Sequence, residues 1–126
     1  MAKIMLIDSS HESRLELKSF LLTHNHDIVY ETHDGFEAIE RYFLIKPEII
    51  FLDLMMNNYD GLEILKKIKQ KDPSSKIIIL TSNDKMNILE ECIKFGSLVF
   101  ISKPLNFEDI LSTISFVNEI NLLQSS

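Results

Sequence analysis

Four polar residues along the chain have side chains suited to phosphate chemistry. They are Asp8, Asp53, Thr81 and Lys103. Each of the first three directly follows a run of four apolar residues, and the fourth comes two residues after such a run. An aspartate can bind a metal ion or act as a nucleophile, a threonine hydroxyl can donate a hydrogen bond, and a lysine carries a compact positive charge. Together these side chains could bind and accept a phosphoryl group.

The two aspartates are predicted to share a metal site. If the runs before Asp8 and Asp53 are neighbouring strands, the two carboxylates repel each other strongly unless a cation lies between them. A site with oxygen ligands and room for water and phosphate suits Mg²⁺. Asp53, held between a divalent cation and the Lys103 ammonium, would be a nucleophile toward phosphorus, with catalysis by alignment and charge neutralisation.

Each of these residues also has an ordinary structural interpretation. An aspartate at a strand end is usually a turn residue or a helix cap. Thr81 and Ser82 are good N-cap residues for a following helix, and Lys103 before Pro104 could be a solvated loop charge. The functional interpretation is favoured because all four positions fall at the same edge of one predicted sheet.

The elements that would position these residues follow from the pattern of apolar residues. Five short runs rich in Ile, Val and Phe are typical of buried strands. They are Ile4–Ile7, Ile28–Tyr30, Ile49–Leu52, Ile77–Leu80 and Leu98–Ile101. Longer stretches with helical spacing alternate with these runs, so the pattern predicts βαβ units and an α/β fold with a parallel sheet. Parallel strands all end at one edge of the sheet, where ligands bind.

The ends of several helices can also be predicted. Asp60-Gly61 and Asp72-Pro73 bound the third helix, Gly96 is expected to follow the end of the fourth, and Asn106 is expected to cap the fifth. The lysines of the third helix are predicted to form its solvated face. They are Lys66, Lys67, Lys69 and Lys71.

Size and composition predict one globular domain over residues 1–126. The 19 acidic and 13 basic side chains give a net charge of −6, which argues against binding of duplex DNA. Cys92 is the single cysteine, so no internal disulfide can form and a reducing cytoplasm is the expected compartment. The apolar residues before Asp8 are too few for a signal peptide or a membrane span.

Five segments of the chain resemble response-regulator receiver domains of two-component signalling, in particular single-domain chemotaxis regulators. The segments are Ile4–Ser10, Ile50–Met55, Asp60–Glu63, Ile79–Ser82 and Phe100–Pro104. Their order and spacing match the family along essentially the whole chain. The resemblance implies a flavodoxin-like, doubly wound parallel sheet of strand order 2-1-3-4-5 with five helices.

The resemblance also implies a role for each site residue. Asp53 would be the phosphoacceptor, phosphorylated by a sensor histidine kinase or a phosphotransfer protein. Asp8, Asp53 and the backbone carbonyl of Met55 would bind Mg²⁺, and Lys103 would pair with the phosphoryl group. The chain would be a signalling switch and not an enzyme, apart from its own phosphorylation and slow dephosphorylation.

The resemblance further implies a coupling between this site and a protein-binding surface. Thr81 would move toward the phosphoryl group and Phe100 would turn inward, which would change the face formed by helix 4, strand 5 and helix 5. A downstream target protein would bind there, and the domain would be a monomer or a weak homodimer without direct nucleic-acid binding. Lys103-Pro104 corresponds to a cis peptide of the family. From the residues alone, Phe100 can equally be a static core residue.

Position 9 departs from the family pattern. The family usually has two adjacent acidic residues after strand 1, and the second is Ser9 here. A hydroxyl is a poorer Mg²⁺ ligand than a carboxylate, so weak metal binding is expected. Ser9 could instead cap helix 1 in a capping box with Glu12, and we favour this over direct metal ligation. Asn57, where the family often has proline, predicts a more flexible loop.

Two other functions fit parts of this pattern. A receiver with a degenerate Mg²⁺ site could act as a phosphorylation-independent protein-binding module; Ser9 favours this alternative, whereas the intact Asp53, Thr81 and Lys103 argue against it. An enzyme on the same architecture fits poorly. A dehalogenase-type phosphatase would need an aspartate where Met55 stands, and a flavodoxin would need a glycine-rich phosphate loop, although residues 8–14 contain no glycine.

Overall fold

Strands and helices alternate along the chain in the computed structural model, which describes residues 1–55, 60–82, 86–97 and 99–125. The strands are β1 (Lys3–Ile7), β2 (Asp27–Thr32), β3 (Ile49–Asp53), β4 (Ile77–Thr81) and β5 (Val99–Ser102). The helices are α1 (His11–Thr23), α2 (Gly35–Ile45), α3 (Gly61–Lys71), α4 (Met86–Lys94) and α5 (Phe107–Ser125). No helix in these ranges is long and apolar enough to cross a membrane.

The strands form one parallel sheet in the order β2-β1-β3-β4-β5, as predicted. β3 and β4 are buried along their whole length, because helices cover both faces of the sheet. In the register, Asp53 pairs with Leu80 and Thr81 pairs with Ser102. The carboxyl ends of these strands are therefore level at one edge.

Alternate residues of each strand pack into two separate cores. In β1, Ile4 and Leu6 face the core beneath α1 and α5, whereas Met5 and Ile7 face the core beneath α2, α3 and α4. Cys92 is fully buried in the second core, as expected for a small apolar residue. Each buried Leu or Ile contributes roughly 1.5–3 kcal/mol of transfer free energy, so both faces hold the sheet firmly.

The predicted ends of the last two helices are confirmed. Gly96 has a φ of 92°, and the N–H groups of Gly96 and Ser97 donate to the carbonyls of Ile93 and Cys92, which is the Schellman motif. The Oδ1 atom of Asn106 accepts from the N–H of Glu108 at 2.9 Å, which caps α5.

The predicted capping box of Ser9 and Glu12 is wrong. The N-cap of α1 is Ser10, whose Oγ accepts from the N–H of Ser13 at 3.1 Å. A carboxylate oxygen of Asp8 accepts from the N–H of Ser10 at 2.9 Å, which turns the chain before the helix and leaves Ser9 outside the cap. Asn57 and Leu98, on which two further predictions rested, lie outside the described ranges.

The prediction of a solvated lysine face on α3 is wrong for Lys69. Its half-buried ammonium donates to the carbonyls of Pro73, at 3.3 Å, and Ser75. Burial lowers the pKa of Lys69, and the nearby charge of Lys76 lowers it further. Lys69 therefore satisfies carbonyls of the α3–β4 loop that would otherwise lack donors.

Candidate functional site

The four predicted site residues converge at the carboxyl edge of the sheet. Asp8 follows β1, Asp53 ends β3, Thr81 ends β4, and Lys103 follows β5. Asp8, Asp53 and Thr81 are only 3–5% exposed. Such burial is unusual for the carboxylates of the two aspartates unless a partner compensates their charge.

The Lys103 ammonium bridges the two aspartates. Its Nζ atom lies 2.8 Å from Oδ2 of Asp8 and 3.1 Å from Oδ2 of Asp53. The backbone N–H of Lys103 donates to the carbonyl of Thr81 at 2.9 Å, which aligns this residue with the end of β4. The Lys103-Pro104 peptide is cis, in agreement with the resemblance.

The charges in this cluster do not balance, since two carboxylates share one ammonium. Burial raises the pKa of Asp53; the N–H of Met55 and the charge of Lys103 oppose the shift, and the charge of Asp8 adds to it. Burial lowers the pKa of Lys103, but its hydrogen bond to Asp8 and the charge of Asp53 outweigh this effect and raise it. The ammonium stays charged, and the pair of carboxylates would gain from a further cation.

Both carboxylate oxygens of Asp53 accept hydrogen bonds. Its Oδ1 atom accepts from the N–H of Met55 at 2.9 Å, and its Oδ2 atom accepts from Lys103. The following residue, Leu54, donates its N–H to the carbonyl of Leu80 at 3.1 Å, so the strand pairing continues past Asp53. The carboxylate is therefore fixed in orientation by the sheet and by the turn after it.

Asp8 is positioned by a network that the sequence analysis missed. Its N–H donates to the carbonyl of Thr32 at 3.1 Å, and its carbonyl accepts from Arg14 at 2.6 Å. Arg14 also pairs with Glu31 at 3.2 Å, and Lys18 pairs with the same carboxylate at 2.5 Å. The hydrogen bond from Lys18 is the main reason for the lowered pKa of Glu31. The sequence feature that could have indicated this network is Arg14 itself, which lies on the same face of α1 as the buried Leu17 and Leu21.

Ser9 lies at the site and contacts the loop after β3. Its hydroxyl donates to the carbonyl of Met55 at 3.1 Å. This carbonyl is the one that the resemblance implies as a metal ligand. Position 9 therefore faces the predicted metal side of the site, although it carries a hydroxyl in place of a carboxylate.

Comparison with known proteins shows the family. The sequence model of the response regulator receiver domain matches residues 4–115. The chain belongs to this family. The receiver is similar to the chemotaxis protein CheY of Listeria monocytogenes serovar 1/2a, with 32% identity over 114 residues that cover 90% of this chain and 96% of the relative.

Two solved structures show the same fold as this receiver. The signal receiver domain of a modulated diguanylate cyclase from Desulfovibrio desulfuricans G20 has a TM-score of 0.89 at 17% identity and covers 98% of both chains. CheY in the CheX-CheY-BeF3-Mg+2 complex from Borrelia burgdorferi gives a TM-score of 0.87 at 24% identity, covering 92% of this chain and 88% of the other. The predicted doubly wound, flavodoxin-like fold is confirmed.

Receiver domains are signalling switches rather than typical enzymes, and they generally bind Mg²⁺ at an acidic pocket. The donors present here fit such an ion, since the carboxylates of Asp8 and Asp53 and the carbonyl of Met55 are all hard oxygen ligands. Within the described ranges, no group of three or more His, Cys, Asp or Glu residues is placed to hold a metal ion. The described part of the acidic pocket therefore offers the two carboxylates of Asp8 and Asp53.

Thr81 and Phe100 line one cavity beside the site. Its volume is about 210 Å³, and its wall also includes Leu89 and Lys103. Phe100 is half-buried and packs against the core beneath α2, α3 and α4. The half-buried ring of Phe100 therefore has empty space beside it, within this cavity.

Proposed function

We propose that this receiver is a signalling switch phosphorylated on Asp53 by a sensor histidine kinase or a phosphotransfer protein. The observation that carries the proposal is the buried carboxylate pair of Asp8 and Asp53 bridged by the Lys103 ammonium. Receiver domains interact with kinases, phosphotransfer proteins and targets, which agrees with this assignment. We also infer that residues 1–126 act as one domain in the cytoplasm, without direct nucleic-acid binding.

In the proposed reaction a carboxylate oxygen of Asp53 attacks the phosphorus of a phosphohistidine. The new bond joins this oxygen to phosphorus, the phosphorus–nitrogen bond breaks, and the electron pair leaves with the imidazole nitrogen. Lys103 and Thr81 neutralise and bind the phosphoryl oxygens, and their placement by β4 and β5 supplies the alignment that phosphoryl transfer needs.

A bound Mg²⁺ would neutralise charge on the phosphoryl group. Asp8, Asp53 and the Met55 carbonyl would hold it, and the Mg²⁺ named in the Borrelia complex supports this cofactor. Lys103 already contacts both carboxylates, so it would offset part of their repulsion whether or not the ion is bound. With Ser9 in place of a third carboxylate, the binding of Mg²⁺ is expected to be weak.

The signal would reach the face formed by α4, β5 and α5. The shared cavity of Thr81 and Phe100 supports this route, because a shift of Thr81 toward a phosphoryl group would enlarge the space into which the ring can turn. A downstream target protein would bind the altered face. The receiver would act as a monomer or a weak homodimer.

The second candidate is a phosphorylation-independent binding module. The specific observation that favours it is the hydroxyl of Ser9 at the metal side, where it donates to the Met55 carbonyl. In this case the fold and the target-binding face would be retained, but the site would not take up phosphate. The same experiment separates the two candidates.

Intact-mass spectrometry after incubation with acetyl phosphate tests the proposal. We expect the wild type to gain the mass of one phosphoryl group when Mg²⁺ is present, and much less when it is chelated. The Asp53→Asn variant should gain none. Asp27→Asn, which changes an exposed aspartate at the start of β2, is the matched control and should behave as the wild type.

Two results would rule out a switch that is phosphorylated on Asp53. If the wild type gains no phosphoryl group at high donor and Mg²⁺ concentrations while its circular dichroism shows an intact fold, the binding module is the correct function. A gain that persists in Asp53→Asn would instead place the acceptor at another residue.

A further inference from the structure

A second polar cavity lies at the opposite edge of the sheet, near the amino ends of β3 and β4. Its volume is about 350 Å³, and its wall combines the end of α2, the α3–β4 loop and α5. The residues with polar groups in this wall include Tyr42, Lys46, Glu48, Asp72, Ser75 and Lys76. The cavity is far from the phosphoacceptor, because it occupies the other end of the strands.

Lys76 is the most buried lysine in the described part of the chain. It is 8% exposed, and the other described lysines are half-buried or exposed. Within those ranges its ammonium forms no ion pair with a carboxylate. Lys76 lines the cavity, and because so little of the residue is exposed, its side chain has little conformational freedom left to lose when an anion binds.

The two acidic residues of the cavity already have donors. Asp72 accepts from the hydroxyls of Tyr42 and of Ser74, the latter at 2.7 Å, and the Tyr42 bond lowers the pKa of Asp72. Oε1 of Glu48 accepts from the N–H of Lys3 at 3.1 Å. Both carboxylates are hydrogen-bonded to other groups, and among the described residues neither lies within ion-pair distance of Lys76.

Two further lysines add positive charge to this region. Lys46 lines the cavity, and Lys69 directs its ammonium to the carbonyls of Pro73 and Ser75. The wall of the cavity contains two lysines, Lys46 and Lys76, and two carboxylates, so the ammonium of Lys69 beside Ser75 supplies the one positive charge in excess. An excess of this kind attracts an anion.

A buried hydroxyl at the cavity has no well-formed hydrogen bond. Ser75 is 6% exposed, and its Oγ atom lies close to the Tyr42 hydroxyl but makes no hydrogen bond of good geometry among the described residues. Rotation about one side-chain bond can direct this hydroxyl to a new acceptor. An oxyanion bound beside Lys76 would provide that acceptor and satisfy a group that is costly to leave unpaired.

We propose that this cavity binds a phosphate-type oxyanion through Lys76, Lys46 and Ser75. The charge-assisted contacts from the two ammonium groups favour a dianion over chloride. The cavity is at the small end of the range for ligand pockets, which suits inorganic phosphate or the phosphate end of a small phosphomonoester. The site is separate from Asp53 and does not depend on phosphorylation.

An NMR titration of the full chain with potassium phosphate tests this site, with potassium chloride at equal ionic strength as the reference. We expect saturable shifts of the amides of Ser75, Lys76 and their neighbours. Lys76→Met should weaken the binding roughly tenfold or more, because it keeps the stem and removes a charge-assisted contact. Ser75→Ala and Lys46→Met should each weaken it severalfold, and Lys46 is exposed, so that variant should fold normally.

Lys67→Met is the matched control. Lys67 is an exposed lysine on α3 that does not line the cavity, so its loss changes the net charge equally without removing a contact. The proposal is overturned if the shifts do not saturate, or if Lys67→Met weakens binding as much as the cavity variants do.

A second titration with ribose 5-phosphate distinguishes the two sources of the anion. Tighter binding than that of phosphate would identify a small organic phosphomonoester as the ligand class. Equal affinity would identify inorganic phosphate, since the sugar then makes no contact.

Discussion

At the scale of single residues, the candidate site is uneven in its charge. Lys103 contacts both Asp8 and Asp53, but one ammonium cannot neutralise two buried carboxylates. The unbalanced charge would be the physical reason for Mg²⁺ to bind at this site. Ser9 is the position where a further carboxylate would strengthen this binding, because its side chain already faces the Met55 carbonyl.

Ser9→Asp should tighten Mg²⁺ binding. A third carboxylate at the metal side raises the ligand charge, and we expect roughly a tenfold lower dissociation constant. Isothermal titration calorimetry with magnesium chloride measures it. Ser10→Asp is the matched control, because it adds the same charge one residue later at the N-cap of α1. Unchanged affinity in Ser9→Asp, or an equal gain in both variants, would show that position 9 does not face the ion.

The convergence of the candidate site residues at one edge of the sheet could be predicted from the sequence, but several contacts could not. Asp53 and Lys103 follow apolar runs whose pattern defines the strand ends, so their convergence follows from the fold. Ser9 and Ser10 are both favoured N-cap residues, and local propensity cannot decide between them. The choice is made by Asp8, whose carboxylate accepts from the N–H of Ser10.

At the scale of elements, the start of α3 is pressed against the end of β3. A Cβ atom on Gly61 would lie 2.6 Å from Cα of Leu54 and 2.7 Å from the carbonyl oxygen of Asp53. The N–H of Gly61 also donates to the carbonyl of Leu54 at 3.2 Å. This glycine therefore lets the helix approach the strand that carries the proposed phosphoacceptor.

Gly61→Ala should destabilise the fold and disturb the site together. The added methyl group meets backbone and not a flexible side chain, so we expect a loss of roughly 1–3 kcal/mol in the free energy of unfolding. The rate of phosphorylation should fall as well, because Asp53 would shift. Urea unfolding and intact-mass kinetics measure the two effects. Lys67→Ala changes an exposed residue of the same helix and should alter neither the free energy of unfolding nor the rate of phosphorylation. If Gly61→Ala also leaves both unchanged, the close approach of α3 to β3 does not require a glycine at position 61.

Arg14 shows why contacts between elements are harder to predict than the elements. Its place on α1 follows from helical periodicity, but its bonds to the Asp8 carbonyl and to Glu31 depend on how α1 packs against β2. The predicted solvent exposure of Lys69 is wrong for the same reason, since the partners of its ammonium belong to the loop that follows its own helix. Periodicity alone does not show where a long side chain ends.

At the scale of the whole molecule, the alternation of short apolar runs with stretches of helical period was enough to predict the architecture. Ile4 and Leu6 enter one core and Met5 and Ile7 enter the other, as a parallel sheet covered on both faces requires. The order of the strands came from the family resemblance, because the apolar pattern does not distinguish neighbouring strands. The cavity near Lys76 could not be predicted, since it joins residues from distant parts of the chain.

The hydrogen bond from Tyr42 to Asp72 joins α2 to the end of α3 and should make stability depend on pH. This bond lowers the pKa of Asp72, so its contribution is present above the ordinary value of 3.8 and is lost as the pH falls through the lowered pKa. Burial, followed by this bond, raises the pKa of Tyr42, so the contribution of the neutral hydroxyl is lost as the pH rises above its ordinary value of 10.0.

Tyr42→Phe should therefore be less stable than the wild type at neutral pH, and the difference should narrow toward both extremes. Urea unfolding over a series of pH values measures it. Tyr30→Phe is the control, because the hydroxyl of Tyr30 has no hydrogen bond among the described residues. A difference that does not vary with pH would mean that Tyr42 contributes by packing alone.

Reduction of the acyl phosphate shows directly whether Asp53 itself carries the phosphoryl group. Borohydride converts a phosphorylated aspartate into homoserine, and peptide mass spectrometry then locates the converted residue. After treatment with acetyl phosphate and Mg²⁺, we predict homoserine at position 53 and at no other aspartate. Homoserine at position 8 or elsewhere would show that another residue is the phosphoacceptor. No homoserine in a folded protein that has gained a phosphoryl group would show that the acceptor is not an aspartate.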